Sequence, residues 1–214
     1  TRTYTLSLHD ALPISVATGY MTNNNSAIES ATAVGAHTNA DGKGAAAYGH
    51  GANATGTSTT AIGSKSQATA DGATAVGNYA KATGTSAIAI GGDDTYSEDT
   101  AAAKASASAA IAIGKKANAS GVSATAIGDG TTASGTATVA VGKAAQADLD
   151  NDNAFGNYVH ANAGGATAVG YIVNTTGNQA FGGGSNTNVS GSAAVGIGYM
   201  SEVSGNRAVG LGSE

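Results

Sequence analysis

The chain of 214 residues has no cysteine, no tryptophan and one proline. Without cysteine, disulfides and thiolate metal sites are impossible. One proline against 33 glycines excludes both collagen and a Pro-rich linker. Charged residues make up 11%, well under the usual share, and the net charge is −5. Disordered segments usually carry high charge, so this is not the common disordered composition. A negative balance also disfavours nucleic acid as a partner. Aromatics are 5%, and no apolar run approaches the length of a membrane helix, so the fragment is not expected to insert into a membrane. What the chain does have is glycine, alanine and small polar residues, a composition that builds a core only by repetition.

The repeat is explicit. A triplet of Ala, then Val, Ile, Phe or Tyr, then Gly starts at Ala33, Ala47, Ala61, Ala75, Ala89, Ala112, Ala126, Ala140, Ala154, Ala168, Ala180, Ala194 and Ala208. Ten of the twelve intervals are 14 residues. The interval from Ala89 to Ala112 is 23, nine more than the period, and that from Ala168 to Ala180 is 12, two fewer. The nine extra residues form an inserted loop, Gly92–Thr100, after which Ala101-Ala102-Ala103-Lys104 resumes the pattern.

Each unit reads as two strands and two turns. Thr74-Ala75-Val76 or Ile111-Ala112-Ile113 is apolar or small on both parities, the pattern of a strand covered on two faces. Ala80-Lys81-Ala82 or Ala117-Asn118-Ala119 alternates small with polar, so one of its faces meets water. Glycines after the triplet's apolar residue, and again at Gly56, Gly72, Gly84, Gly121, Gly135 and Gly177, are assigned to the two reversals. Helix is excluded, because glycine at this frequency would break it repeatedly. The prediction is an all-β chain: a parallel β-roll (β-solenoid) of about thirteen 14-residue coils, roughly 60 Å long at about 4.8 Å per coil. Coils this poor in large apolar side chains bury too little to stand alone. One face of the apolar strand is therefore assigned to the interior and the other to neighbouring copies in a closed cyclic oligomer.

Units such as Thr85-Ser86-Ala87-Ile88-Ala89-Ile90-Gly91 and Ala124-Thr125-Ala126-Ile127-Gly128 resemble the head repeats of trimeric autotransporter adhesins, the YadA-like heads of Gram-negative bacteria. The resemblance runs from about Ser30 to Ser213. It implies a left-handed roll, a homotrimer, and display on the bacterial surface by a protein anchored in the outer membrane. It also implies a non-enzymatic role in virulence: attachment to host extracellular matrix, host cells or other bacteria. The family's neck, coiled-coil stalk and membrane barrel do not occur within these 214 residues, which look like an internal fragment. The alternative reading is a structural spacer, a surface stalk or phage-fibre segment, with no ligand of its own.

Three segments are expected. Residues 1–14 stand outside the repeat, and Thr5–Ile14 reads as one frame of a common DNA-sequencing adapter, so this segment is treated as non-native. Residues 15–29 form an irregular lead-in or partial coil, and 30–214 form the roll with its loop at 92–100.

Chemistry is sparse. No acid, base and nucleophile recur together, so no catalytic residue and no cofactor is assigned. His37, His50 and His160 fall at different coil positions and read as scattered surface residues, with His9 in the foreign segment. Gly182-Gly183-Gly184-Ser185 lacks the lysine and helix of a phosphate loop. Asp148, Asp150 and Asp152 alternate as calcium ligands do, yet without the glycine and later glutamate of an EF-hand; turn chemistry is the plainer account. Asp93, Asp94, Tyr96, Glu98 and Asp99 make the inserted loop a candidate ligand-facing knob. Eight residues after the leading Ala lie Asp41, Thr55, Thr69, Thr83, Ser120, Ser134, Asp148, Asn162, Thr176, Asn188 and Glu202. This column is too mixed for an ice-binding threonine array and suits turn formation.

Overall fold

The computed structural model describes residues 15–24, 30–92 and 102–213. Residues 1–14, the segment assigned as non-native, and residues 93–101, which hold all of the inserted loop except Gly92, lie outside the described part. The described chain is a parallel β-solenoid of about thirteen turns without helix. Its two walls are a 14-stranded sheet of three- to five-residue strands and a 13-stranded sheet of two-residue strands. Every pairing is parallel and joins one coil to the next: Thr74–Val76 lies between Thr60–Ile62 and Ile88–Ile90. The lead-in supplies the first rung, Val16–Thr18 on Thr32–Val34 and Asn23–Asn24 on Asn39–Ala40.

The inserted loop leaves the stack undisturbed. Ala89 pairs with Ala112 and Lys81 with Lys104, so the coils on either side meet as if the nine residues were not there. Insertion at a turn costs little when the flanking strands keep their register.

Four side chains per coil point inward. In one coil they are Ala73, Ala75, Ala80 and Ala82, all without exposure, and the same positions recur as Ala110, Ala112, Ala117 and Ala119. In most coils where a hydroxyl replaces a methyl it bonds to a carbonyl: Thr59 Oγ1 donates to Gly56 O at 2.7 Å and Thr138 Oγ1 to Gly135 O at 2.8 Å. A buried hydroxyl without such a partner would be costly.

Turn residues divide the work differently from the sequence expectation. Where each long strand ends, the glycine after the outward residue, as at Gly77, Gly142, Gly184 and Gly198, holds φ between 121° and 145°, and a Cβ on Gly142 would overlap the carbonyl oxygen of Gly156 in the next coil. The left-handed residue of the same turn follows, and it is usually not glycine: His37, Lys65, Tyr79, Lys116, Tyr158 and even Ile172 sit at φ of 52° to 60°. Gly56 and Gly121 are needed not for positive φ but for clearance, since a Cβ there would meet the backbone of Ala70 or Gly135.

One expectation is overturned. No coil is two residues short: Ala168 pairs with Gly182, Gly182 with Gly196, and Gly196 with Gly210, each 14 residues on. The triplets at Ala180, Ala194 and Ala208 copy the spelling two places upstream of the true register. Ala180 continues the column of Ala166, and Asn188 and Glu202 pair in line with Asn174, leaving Ser190 to follow Thr176.

Glycine can enter the alanine column because the opposite wall grows to match. Val173, Val189 and Val203 point inward there, and a Cβ on Gly196 would come within 2.5 Å of Val189 Cγ2 and 3.1 Å of Val203 Cγ2. The interior keeps its volume while exchanging Ala–Ala for Gly–Val. Thr175 interrupts the change. It is buried beside Gly182, and its Oγ1 has no hydrogen-bond partner among the described residues.

Gly196→Ala should lower stability by about 1–3 kcal/mol through overpacking, and Val189→Ala by a similar amount through a cavity. In thermal or denaturant melts the double variant should lie closer to the parent than the sum of the two. Thr175→Val, the same shape without the orphan hydroxyl, should raise stability by about 1 kcal/mol.

Candidate functional site

A wall whose interior admits little more than a methyl group must put its large apolar side chains outside. On the long sheet Val34, Tyr48, Ile62, Val76, Ile90 and Ile113 follow one another on successive rungs of the outer face. The row continues through Ile127, Val141, Phe155 and Val169, is broken at Gly183, and resumes at Ile197. Tyr48 and Ile62 are about 40% exposed, although they lie on a continuous sheet. The neighbouring outward column adds Ile88, Ile111 and Val139, all half-buried. A contiguous apolar strip of this length marks an interaction surface.

The short sheet presents the opposite character. Its outward residues are Asn39, Asn53, Gln67, Lys81, Lys104, Asn118, Thr132 and Gln146, one per rung. Part of this rank is an amide ladder. Asn23 Nδ2 donates to Asn39 Oδ1 at 2.8 Å, Asn39 Nδ2 to Asn53 Oδ1 at 2.9 Å, and Asn174 Nδ2 to Asn188 Oδ1 at 3.0 Å.

The turn edges carry clusters that sequence reasoning missed. His37 and His50 are not scattered, for their ring centroids lie 5.5 Å apart, and Tyr20 stands 5.7 Å from His37. Their spacing of 13 residues, one less than the period, is the signal that was available. Lys65 Nζ donates to Tyr79 Oη at 2.7 Å and lies 4.9 Å from the ring centroid. Farther along, Tyr158, Tyr171, Ile172, Tyr199 and Met200 are all exposed beside the five-residue strands that begin with Asn153–Asn157. The recurring Gly-Tyr of Gly170-Tyr171 and Gly198-Tyr199 announces them in the sequence.

The three calcium candidates do separate work. Asp148 Oδ2 lies 2.7 Å from His160 Nε2, both side chains half-buried. Asp150 Oδ1 accepts from the Thr136 N–H at 2.7 Å, as Asp71 Oδ1 does from Thr57 one period-matched site away at 2.8 Å. Asp152 is wholly buried inside the roll, at the position alanine holds in most coils. Its carboxylate accepts from the N–H groups of Leu149 at 3.0 Å, Ala163 at 3.2 Å and Ala166 at 2.8 Å. In other coils the N–H equivalent to Ala166 closes the turn, as Ala124 does on Gly121 O at 3.1 Å. Asp152 takes over that donor, and so its role is to seal an opened turn. Among the described residues no three of His, Asp or Glu come together in a metal-binding group. The knob residues Asp93, Asp94, Tyr96, Glu98 and Asp99 lie outside the described residues.

Comparison with known proteins agrees with this geometry. The family model described as YadA head domain repeat (2 copies) matches residues 54–80, 68–93, 105–131 and 119–145. The matches overlap by coils and resume after the inserted loop. No curated protein matches the chain.

Asp152→Ala should leave three N–H donors without their acceptor, that of Ala166 buried and those of Leu149 and Ala163 partly so, and lower stability by about 2–4 kcal/mol. Asp148→Ala, at a half-exposed pair, should change it by less than about 1 kcal/mol. Titration calorimetry with millimolar calcium is expected to give no heat with the parent protein.

Proposed function

We propose, for a chain that carries the YadA head repeats of trimeric autotransporter adhesins, that three copies assemble as a left-handed roll into an adhesive head on the bacterial surface. The apolar row on the long sheet is the observation that carries this reading. Packing Tyr48, Ile62, Val76 and Ile90 of each copy against a neighbour supplies the burial that the alanine-lined interior lacks. The polar short sheet then faces outward, repeated three times around the trimer.

Attachment follows from repetition, without catalysis. Each rung offers a shallow amide, hydroxyl or ammonium group, and a target that is itself repetitive meets many of them together. Weak single contacts become firm binding once one has formed and the rest are intramolecular. Extracellular matrix proteins such as collagen, fibronectin or laminin, and receptors on host cells or other bacteria, are targets of this kind. The full protein would hold the head away from an outer-membrane anchor, and attachment of this sort serves virulence.

Light scattering on the purified chain should give three times the monomer mass. Replacing Ile62 and Ile90 together by Lys should shift it to monomer, with adhesion to immobilised matrix proteins falling on the order of 100-fold through lost avidity. A parent chain that stays monomeric at micromolar concentration rules out the trimeric head. A trimer that adheres to no matrix protein or cell favours the spacer reading.

A further inference from the structure

The short sheet alternates strictly: one residue outward, the next buried, the next outward again. In four coils the outward pair is asparagine followed by serine or threonine: Asn53-Ala54-Thr55, Asn118-Ala119-Ser120, Asn174-Thr175-Thr176 and Asn188-Val189-Ser190. The central residues Ala54, Ala119, Thr175 and Val189 are fully buried, and none is proline. Asn-x-Ser/Thr is the acceptor pattern for N-linked sugar, and it requires the amide and the hydroxyl to be presented together to solvent. A strand does this automatically, because residues two apart share a face at roughly 7 Å.

We propose that this face of the roll is a rank of N-glycosylation sites, with Asn53, Asn118 and Asn188 as the acceptors. Asn53 and Asn188 each use Oδ1 to accept an amide hydrogen from the preceding rung. The Nδ2 of each makes no hydrogen bond among the described residues, and the same holds for Asn118. Asn174 differs, for its Nδ2 already donates to Asn188 Oδ1 at 3.0 Å. Rungs stand about 4.8 Å apart, which is too close for sugars on two successive ones. Asn174 and Asn188 therefore take one sugar between them, and Asn188 has the open nitrogen.

The modification is a transfer from an activated sugar diphosphate. Nδ2 forms a bond to the sugar C1 and loses one proton, while the C1–O bond breaks and the diphosphate leaves with its electron pair. The amide keeps one N–H and its oxygen, so the hydrogen bonds accepted by Asn53 and Asn188 survive. The roll accommodates the added group, because these side chains point away from the alanine interior and away from the apolar row on the opposite wall. The sugar would coat the outward face in three widely spaced places per chain, at the first third, the middle and the last coils.

Mass-spectrometric peptide mapping of protein isolated from the cells that encode it provides the test. Sugar-sized mass increments are expected on the peptides holding Asn53, Asn118 and Asn188. Each increment should vanish in the matching Thr55→Ala, Ser120→Ala or Ser190→Ala variant, which keeps the asparagine and removes the hydroxyl. Unmodified asparagine at all three positions overturns the proposal, as does sugar found only on serine, threonine or lysine. So does an increment that persists in the alanine variants. None of these results bears on whether the chain forms a trimer or adheres.

Discussion

Parallel backbone hydrogen bonding between successive coils is the constraint on which the rest of this molecule depends. Bonds such as Asn39 N to Ala52 O and Asn53 N to Ser66 O, both 2.8 Å, recur from one end of the described chain to the other. They require each coil to lie a strand's width from the next, at the turns as well as in the sheets. Hence the glycine after each outward apolar residue, such as Gly142 or Gly170, whose missing side chain leaves room for the next coil's carbonyl. Hence also the narrow interior, where two walls joined by short turns leave space for alanine and little else.

Function follows from that narrowness. An ordinary domain hides its large apolar residues in the middle; here most Ile, Phe and Tyr side chains stand on the outer wall, and only a few Val, such as Val173 and Val189, enter the roll. This exposed apolar row is what supports the proposed assembly of several copies. The other wall, free of that duty, is polar and flat, and it repeats its side chains at a fixed spacing. The proposed adhesion and the proposed modification both call for such a surface, because neither needs a cleft.

Much of this was legible in the residues. The 14-residue period, the parallel roll, the undisturbed stack around the inserted loop and the outward apolar row all follow from the spacing of Ala, Gly and Val or Ile. The register beyond Ala168 was not, because Ala180-Phe181-Gly182 spells the same triplet in a position where glycine, not alanine, points inward. Nor was the partnership of His37 with His50, which depends on two adjacent columns at one turn coming within ring contact. Asp152 misleads for a similar reason. Its neighbours in sequence, Asp148 and Asp150, face outward, and only its own side chain enters the roll, where three N–H groups wait for it.

The sequence by itself determined the period, the strand type and the spelling of the repeat. Those are one-dimensional properties: they need only the order of small, apolar and turn-forming residues along a coil. The tertiary structure alone decided which of two similar spellings sets the register and which carboxylate is buried. It also decided how Gly182 and Gly196 are matched by Val173, Val189 and Val203. Each of these is settled by the volume and hydrogen bonds available between walls that face one another across the roll. That space is shared by residues from different strands and different coils, and no single coil's sequence describes it.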